Sequence, residues 1–240
     1  MSVESSSVAG PGGSAGSSTS RGPVEPASVE RVLGRLGRAG VVPVVVVDDV
    51  GQGLGVAGAL DEGGLPVAEV TFRRAGAGAV IEAIVDRHPG MLVGAGTVVD
   101  ARQVDEAVAA GASFVVSPGL SVSVVRAAQE AGVPVVPGVA TASEVMAALE
   151  LGISTVKLFP AGVVGGPAVI KALSGPFGQV RFVPTGGVGA GNLPDYLGLP
   201  SVLAVGGSWM VDRGLVVAGD FAEITRRTAR AVSIVAGSRA

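Results

Sequence analysis

The chain contains no cysteine and a single histidine. Disulfides, thiolate metal ligation and thiol catalysis are excluded together, and one histidine cannot build a histidine-rich zinc site. A serine–histidine triad is excluded too. The lone His88 stands in Asp86-Arg87-His88-Pro89-Gly90, a surface turn between a helix and a strand, where neither Ser117 nor Ser208 can use it as a base. Aromatic residues make up only 3% of the chain, so any core must be built from Val, Ala, Leu and Ile. No apolar run reaches the roughly 18 residues that a membrane span needs. The first residues carry neither the basic segment nor the apolar stretch of a secretion signal, so a cytoplasmic location is expected. The net charge is −3 and no basic stripe with interleaved aromatics occurs, which excludes a nucleic-acid footprint.

Apolar residues make up 48% and charged ones 15% of 240 residues, enough for a sizeable core. Residues 1–27, rich in Ser, Gly, Pro and Ala without periodicity, read as a disordered low-complexity tail. Residues 28–240 read as one folded domain. Within it, Val-rich runs recur at 41–47, 67–71, 91–96, 114–116, 133–136, 155–159, 180–184 and 202–205. They begin about 20–26 residues apart, which suits one strand, one helix and two loops per unit. Ala-rich helical segments lie between them, as at 101–110, 122–131, 142–150 and 167–173. Gly63, Gly111, Gly132 and Gly152 follow such helices, where a left-handed residue is wanted. The strands are unbroken apolar runs, as in a parallel sheet covered on both faces. Eight units predict a (β/α)8 TIM barrel, with an open doubly wound sheet as the competitor. An extra helix over 28–39 is expected to cap the barrel bottom, and 221–235 to form the last outer helix.

Against fifteen arginines the chain has only two lysines, and one of them, Lys157, stands alone in the apolar run Val156-Lys157-Leu158-Phe159-Pro160. At an ordinary pKa of about 10.4 nearly every lysine is protonated at pH 7. Burial that brings it to about 7–8 frees the amine to condense with a carbonyl. Glu69 is a carboxylate inside another apolar strand, placed to exchange protons with such a lysine or simply to pair with it. Arg73, at that strand's exit, suits a substrate carboxylate; Arg74 beside it reads as a surface residue. Gly94-Ala95-Gly96-Thr97 lacks the rest of a dinucleotide fingerprint. Its small residues are expected to let a ligand approach the backbone, with the Thr97 hydroxyl donating to it. Thr185-Gly186-Gly187 and Gly206-Gly207-Ser208 follow the seventh and eighth strands, where barrels often hold phosphate on bare amides and a hydroxyl. Ser117-Pro118-Gly119 and Pro137-Gly138 are rigid turns that shape the pocket. Most of these polar residues sit at or just past strand C-termini, so a barrel would gather them around one mouth.

In this order the strings resemble the 2-keto-3-deoxy-6-phosphogluconate (KDPG) / 4-hydroxy-2-oxoglutarate (KHG) aldolase family. The matching stretches are Val42-Pro43-Val44, Glu69-Val70-Thr71-Phe72-Arg73, Gly94-Ala95-Gly96-Thr97, Ser117-Pro118-Gly119, Pro137-Gly138, Lys157-Leu158-Phe159-Pro160-Ala161, Gly175-Pro176-Phe177, Pro184-Thr185-Gly186-Gly187 and Gly206-Gly207-Ser208-Trp209. The resemblance begins at about residue 32 and implies a trimeric class I aldolase of the Entner–Doudoroff route, with a sugar-acid phosphate substrate and no metal or organic cofactor. It makes Lys157 the Schiff-base lysine and Glu69 the general acid/base. Arg73 and Thr97 would hold the substrate carboxylate, Pro118 and Phe159 line the pocket, and Gly186, Gly187, Gly207 and Ser208 bind the phosphate. The sequence departs mildly from the family at Pro66-Val67-Ala68 and Phe72.

Overall fold

A computed structural model of the chain describes residues 26–238. The expected tail over 1–27 lies outside these residues, apart from Pro26 and Ala27, which already belong to the first helix. That helix, α1 (Pro26–Ala39), precedes an alternation of parallel strands and helices: β1 (Val41–Val45), α2 (Val50–Glu62), β2 (Val67–Thr71), α3 (Ala77–Arg87), β3 (Leu92–Gly96), α4 (Ala101–Ala109), β4 (Val115–Val116), α5 (Val122–Glu130), β5 (Val135–Val136), β6 (Gly138–Val139), α6 (Ala142–Glu150), β7 (Thr155–Leu158), α7 (Gly166–Ser174), β8 (Arg181–Phe182), α8 (Leu193–Leu197), β9 (Val205–Gly207), α9 (Arg213–Ala218) and α10 (Phe221–Ser238). Strand order is β5-β4-β3-β2-β1-β9 in one sheet and β6-β7-β8 in another.

Only Pro137 separates β5 from β6. A proline has no N–H to give to a ladder, yet its carbonyl accepts from Lys157 N at 2.8 Å, and Val136 O beside it accepts from Ser117 N at 3.3 Å. At the other junction β8 meets the β9 segment through the parallel bridges Phe182↔Val202 and Thr185↔Gly206. The eighth apolar run therefore pairs later than its sequence suggests: 202–205 was the expected strand, but the regular pairing with β1 falls on Val205–Gly207.

Helix starts follow directly from the residues after each strand. The side chains of Asp49, Asp100, Ser121 and Thr141 accept the backbone N–H groups that open α2, α4, α5 and α6. At α6 Glu144 completes a capping box with Thr141. Gly111, Gly132 and Gly152 take the positive φ expected after a helix. Gly63 does not: its φ is −74°, and Gly64 turns left-handed instead. What Gly63 provides is closeness, since a Cβ there would lie 2.6 Å from the Thr228 side chain of α10. His88 is also less free than expected, with 19% of its side chain exposed and Nδ1 3.8 Å from Asp61.

The main apolar cluster lies between strands and outer helices. A second gathers Val42, Val67, Leu92, Phe114, Val136 and Val183, from the N-terminal parts of the strand layer, with Leu36 of α1. No helix among the described residues is long and apolar enough to cross a membrane.

Candidate active site

Lys157 on β7 and Glu69 on β2 point into one enclosed space. Their side chains are 4% and 3% exposed, and Nζ lies 3.5 Å from Oε1. Oε1 has no hydrogen-bond partner, so this is an ion-pair distance without a well-aligned bond. Burial pushes the Glu69 carboxyl above the usual glutamate range, against the opposing pull of Lys157 and, more weakly, of Arg73. The ion pair and the neutral amine–acid pair contain the same single proton. Desolvation penalises the ionic form, which brings the two forms closer in energy. Nζ also lies 5.2 Å from the centre of the Phe159 ring.

Gly96 explains how the carboxylate fits, and Gly94 how the Phe114 ring does. A Cβ on Gly96 would collide with Oε1 of Glu69 and lie 2.6 Å from its Cγ, and one on Gly94 would strike the Phe114 ring. The expectation that these small residues admit a ligand is thus corrected, because both spaces are filled by protein side chains. Thr97 follows at φ +56°, the one non-glycine among the described residues with positive φ. A β-branched residue is strained there. Its Oγ1 accepts from Nε of exposed Arg73 at 3.3 Å, so those two expected partners are brought together. Arg74 is a surface residue as expected, paired with Asp48 at 3.3 Å. Pro118 is half-buried, and its carbonyl occupies the space a side chain on Gly138 would need. Gly138 in turn pairs with Lys157, so the Ser117-Pro118-Gly119 turn borders the lysine's strand.

A pocket of about 140 Å³ is lined by Arg73, Phe159, Thr185, Gly186, Gly187, Gly207 and Ser208, with Val44, Val46 and Val188. Lys157, Glu69, Thr97 and Pro118 are not in its lining, and Phe159 and Arg73 are what link it to the pair. Gly186 and Gly187 both have positive φ. Their backbone N–H groups, and that of Ser208, donate to no protein acceptor among the described residues. Val46 and Val188 were not singled out in the sequence, and Val44 entered only within a matching stretch, because nothing distinguishes them there from core valines. Two roomier clefts, of about 490 and 410 Å³, lie at the other end of the strands around Arg38 and Leu33. Neither encloses a buried charged pair, so size does not mark the site. Among the described residues no group of three or more His, Cys, Asp or Glu could hold a metal ion.

Comparison with known proteins agrees with this arrangement. The family model "Aldolase: KDPG and KHG aldolase" matches residues 32–227. The 2-dehydro-3-deoxy-phosphogluconate aldolase of Treponema pallidum is 47% identical over 200 residues, covering 83% of this chain and 95% of that protein. The KHG/KDPG aldolase of Escherichia coli K12 is 45% identical, covering 80% and 90%. A crystal structure of the KDPG aldolase of Legionella pneumophila, with pyruvate captured as a covalent carbinolamine, superposes with a TM-score of 0.79 at 40% identity, covering 82% of this chain and 96% of that one. With its buried lysine–carboxylate pair, its glycine-lined pocket and this much sequence shared with those enzymes, the chain belongs to the KDPG and KHG aldolase family.

Proposed function

We propose that this chain is a class I aldolase that cleaves KDPG to pyruvate and glyceraldehyde 3-phosphate. The observation that carries the proposal is the sealed contact between Lys157 and Glu69. Proton transfer within the pair leaves a neutral amine, which attacks the 2-keto carbon. Glu69 protonates the carbinolamine oxygen, water departs, and a protonated imine remains. Glu69, now a carboxylate, takes the proton of the 4-hydroxyl. The bond between carbons three and four breaks, its electrons pass to the imine, and glyceraldehyde 3-phosphate leaves. The resulting enamine is protonated at carbon three, and water then releases pyruvate and the lysine. The cationic nitrogen stabilises the transition state from a fixed, water-poor position.

Arg73 and the strained Thr97 hold the substrate carboxylate, and Pro118 and Phe159 shape the wall around the keto carbon. Thr185 lines the same pocket, and Gly186, Gly187, Gly207 and Ser208 hold the phosphate through amides and a hydroxyl. Gly186 and Gly187 support this by lining the pocket with backbone N–H groups that donate to no protein acceptor among the described residues. KHG is the natural second substrate to compare, as the Escherichia coli relative is named for both.

We read residues 28–240 as one domain in which the strands close into an eight-stranded barrel, with Leu36 of α1 plugging its bottom. A homotrimer fits the exposed Val99, Val122 and Met146, which lie in three successive units. A cytoplasmic location fits a charged phosphate ester that cannot cross a membrane unaided.

Incubation with pyruvate and borohydride, followed by mass spectrometry of the Lys157 peptide, tests the chemistry. The native chain gains a reduced pyruvate adduct at Lys157, while Lys157→Ala gains none and loses all measurable cleavage. An adduct elsewhere, or turnover in Lys157→Ala, refutes the mechanism.

A further inference from the structure

Behind the phosphate pocket, α10 reaches the loop that follows β9. Arg227 donates from a terminal guanidinium nitrogen to the Trp209 carbonyl at 3.1 Å. Glu223, one turn earlier, holds Arg227 through Nε at 2.8 Å and Arg226 at 2.7 Å, leaving Arg227 little choice of rotamer. The Trp209 ring lies directly on Gly207, where any Cβ would collide with it. An outer cavity of about 410 Å³ opens beside this contact, lined by Ala190, Trp209, Glu223, Arg227 and Arg230. Ala190 belongs to the loop that carries Gly186 and Gly187, so packing behind both glycine loops is incomplete on this side. Trp209 packs partly against the main apolar cluster, and Met210 and Val211 after it are buried in that cluster. The charge-assisted hydrogen bond from Arg227 adds a directional restraint at the Trp209 carbonyl that this apolar packing does not supply.

We propose that Arg227, oriented by Glu223, is a positioning residue for the phosphate: it fixes Trp209, whose ring braces Gly207 and so sets the Gly207–Ser208 amides. The inference rests on the phosphate reading above. Arg227 does not touch the substrate and acts only through Trp209. A phosphorylated substrate depends on the clamp, and the chemistry at Lys157 does not.

The chain's single tryptophan makes this measurable, because intrinsic tryptophan fluorescence reports Trp209 alone. Glycerol 3-phosphate, an unreactive phosphate monoester, is titrated into the native protein, Arg227→Met, Arg227→Lys and Glu223→Gln. KDPG cleavage, KHG cleavage and pyruvate trapping are measured beside it. In Arg227→Met the expected result is a rise of about ten-fold in both KM for KDPG and the fluorescence midpoint, with kcat, KHG cleavage and trapping within about two-fold. Arg227→Lys recovers part of the loss, and Glu223→Gln gives about a three-fold rise while keeping Arg227 itself should Arg227→Met fold poorly. Native values in both Arg227→Met and Glu223→Gln overturn the inference, as does equal loss for KDPG, KHG and trapping. Ser208→Asp separates the two readings. If it weakens KDPG more than KHG while Arg227→Met is native-like, only the clamp fails. If it weakens both alike and glycerol 3-phosphate leaves Trp209 unchanged, the phosphate reading fails and the clamp falls with it.

Discussion

Near the N-terminal ends of the strands Leu36, Val42, Leu92 and Phe114 meet in an apolar cluster, whereas farther along the same layer encloses Glu69, Lys157, Ser117 and Thr185. Both regions are equally sealed from water. They differ in what sealing does. For Phe114 and its neighbours burial is favourable, by about 25 cal/mol for each Å² removed from water. For the Lys157–Glu69 pair it costs solvation that a 3.5 Å contact offsets only in part. One end of the layer therefore supplies stability, and the other uses some of it to keep an amine and an acid poised.

The comparison is tested most severely at Glu69. Glu69→Gln should lower kcat by about 10²–10⁴-fold, the range for a lost general acid/base, with the chain still folded by circular dichroism. The same variant tests the raised carboxyl. Between the usual glutamate range and the raised folded value, the native chain retains a proton that the unfolded chain has lost. Folding stability should therefore fall as pH climbs through that window, and Glu69→Gln should abolish the decline in urea titrations. A decline that persists places its origin elsewhere.

At the apolar end the expectation reverses. Phe114→Ala should cost about 3–5 kcal/mol in urea unfolding, with kcat of the folded fraction nearly unchanged. A selective loss of kcat would mean that the two ends are coupled. Gly96→Ala sits on the boundary and forces a methyl against the Glu69 side chain. It should cost about 1–3 kcal/mol of strain and also slow cleavage by displacing the carboxylate, so both readouts should move. Thr141→Ala removes a helix cap just past β6, at the same end of the layer as Lys157 but outside the pocket lining; about 1 kcal/mol of stability and no change in KM are expected.

Much of the frame was legible because it is encoded locally. The bounds of β2 and α6 coincide with their sequence patterns, since an apolar run and a Thr141–Glu144 box need no distant partner. Elsewhere local signals misled. The Val-rich run at 202–205 scored on apolarity, but regular pairing runs through Gly206 and Gly207, which have no side chain to signal a strand. Gly63 looked like a left-handed terminator and is a contact point for α10. In the site, Lys157 and Glu69 were conspicuous as charges in apolar runs, while Val44, Val46 and Val188 were camouflaged by composition.

By itself the sequence determined the alternation of parallel strands and helices, and made Lys157 and Glu69 stand out as charges in apolar runs, because apolar periodicity, caps and an isolated lysine are properties of neighbours along the chain. Only the tertiary structure decided that Phe114 and Glu69 fill the spaces over Gly94 and Gly96, and that Arg227 reaches Trp209. Those facts depend on distances between segments remote in sequence. Such distances are set by how side-chain volumes pack, and no local pattern records them.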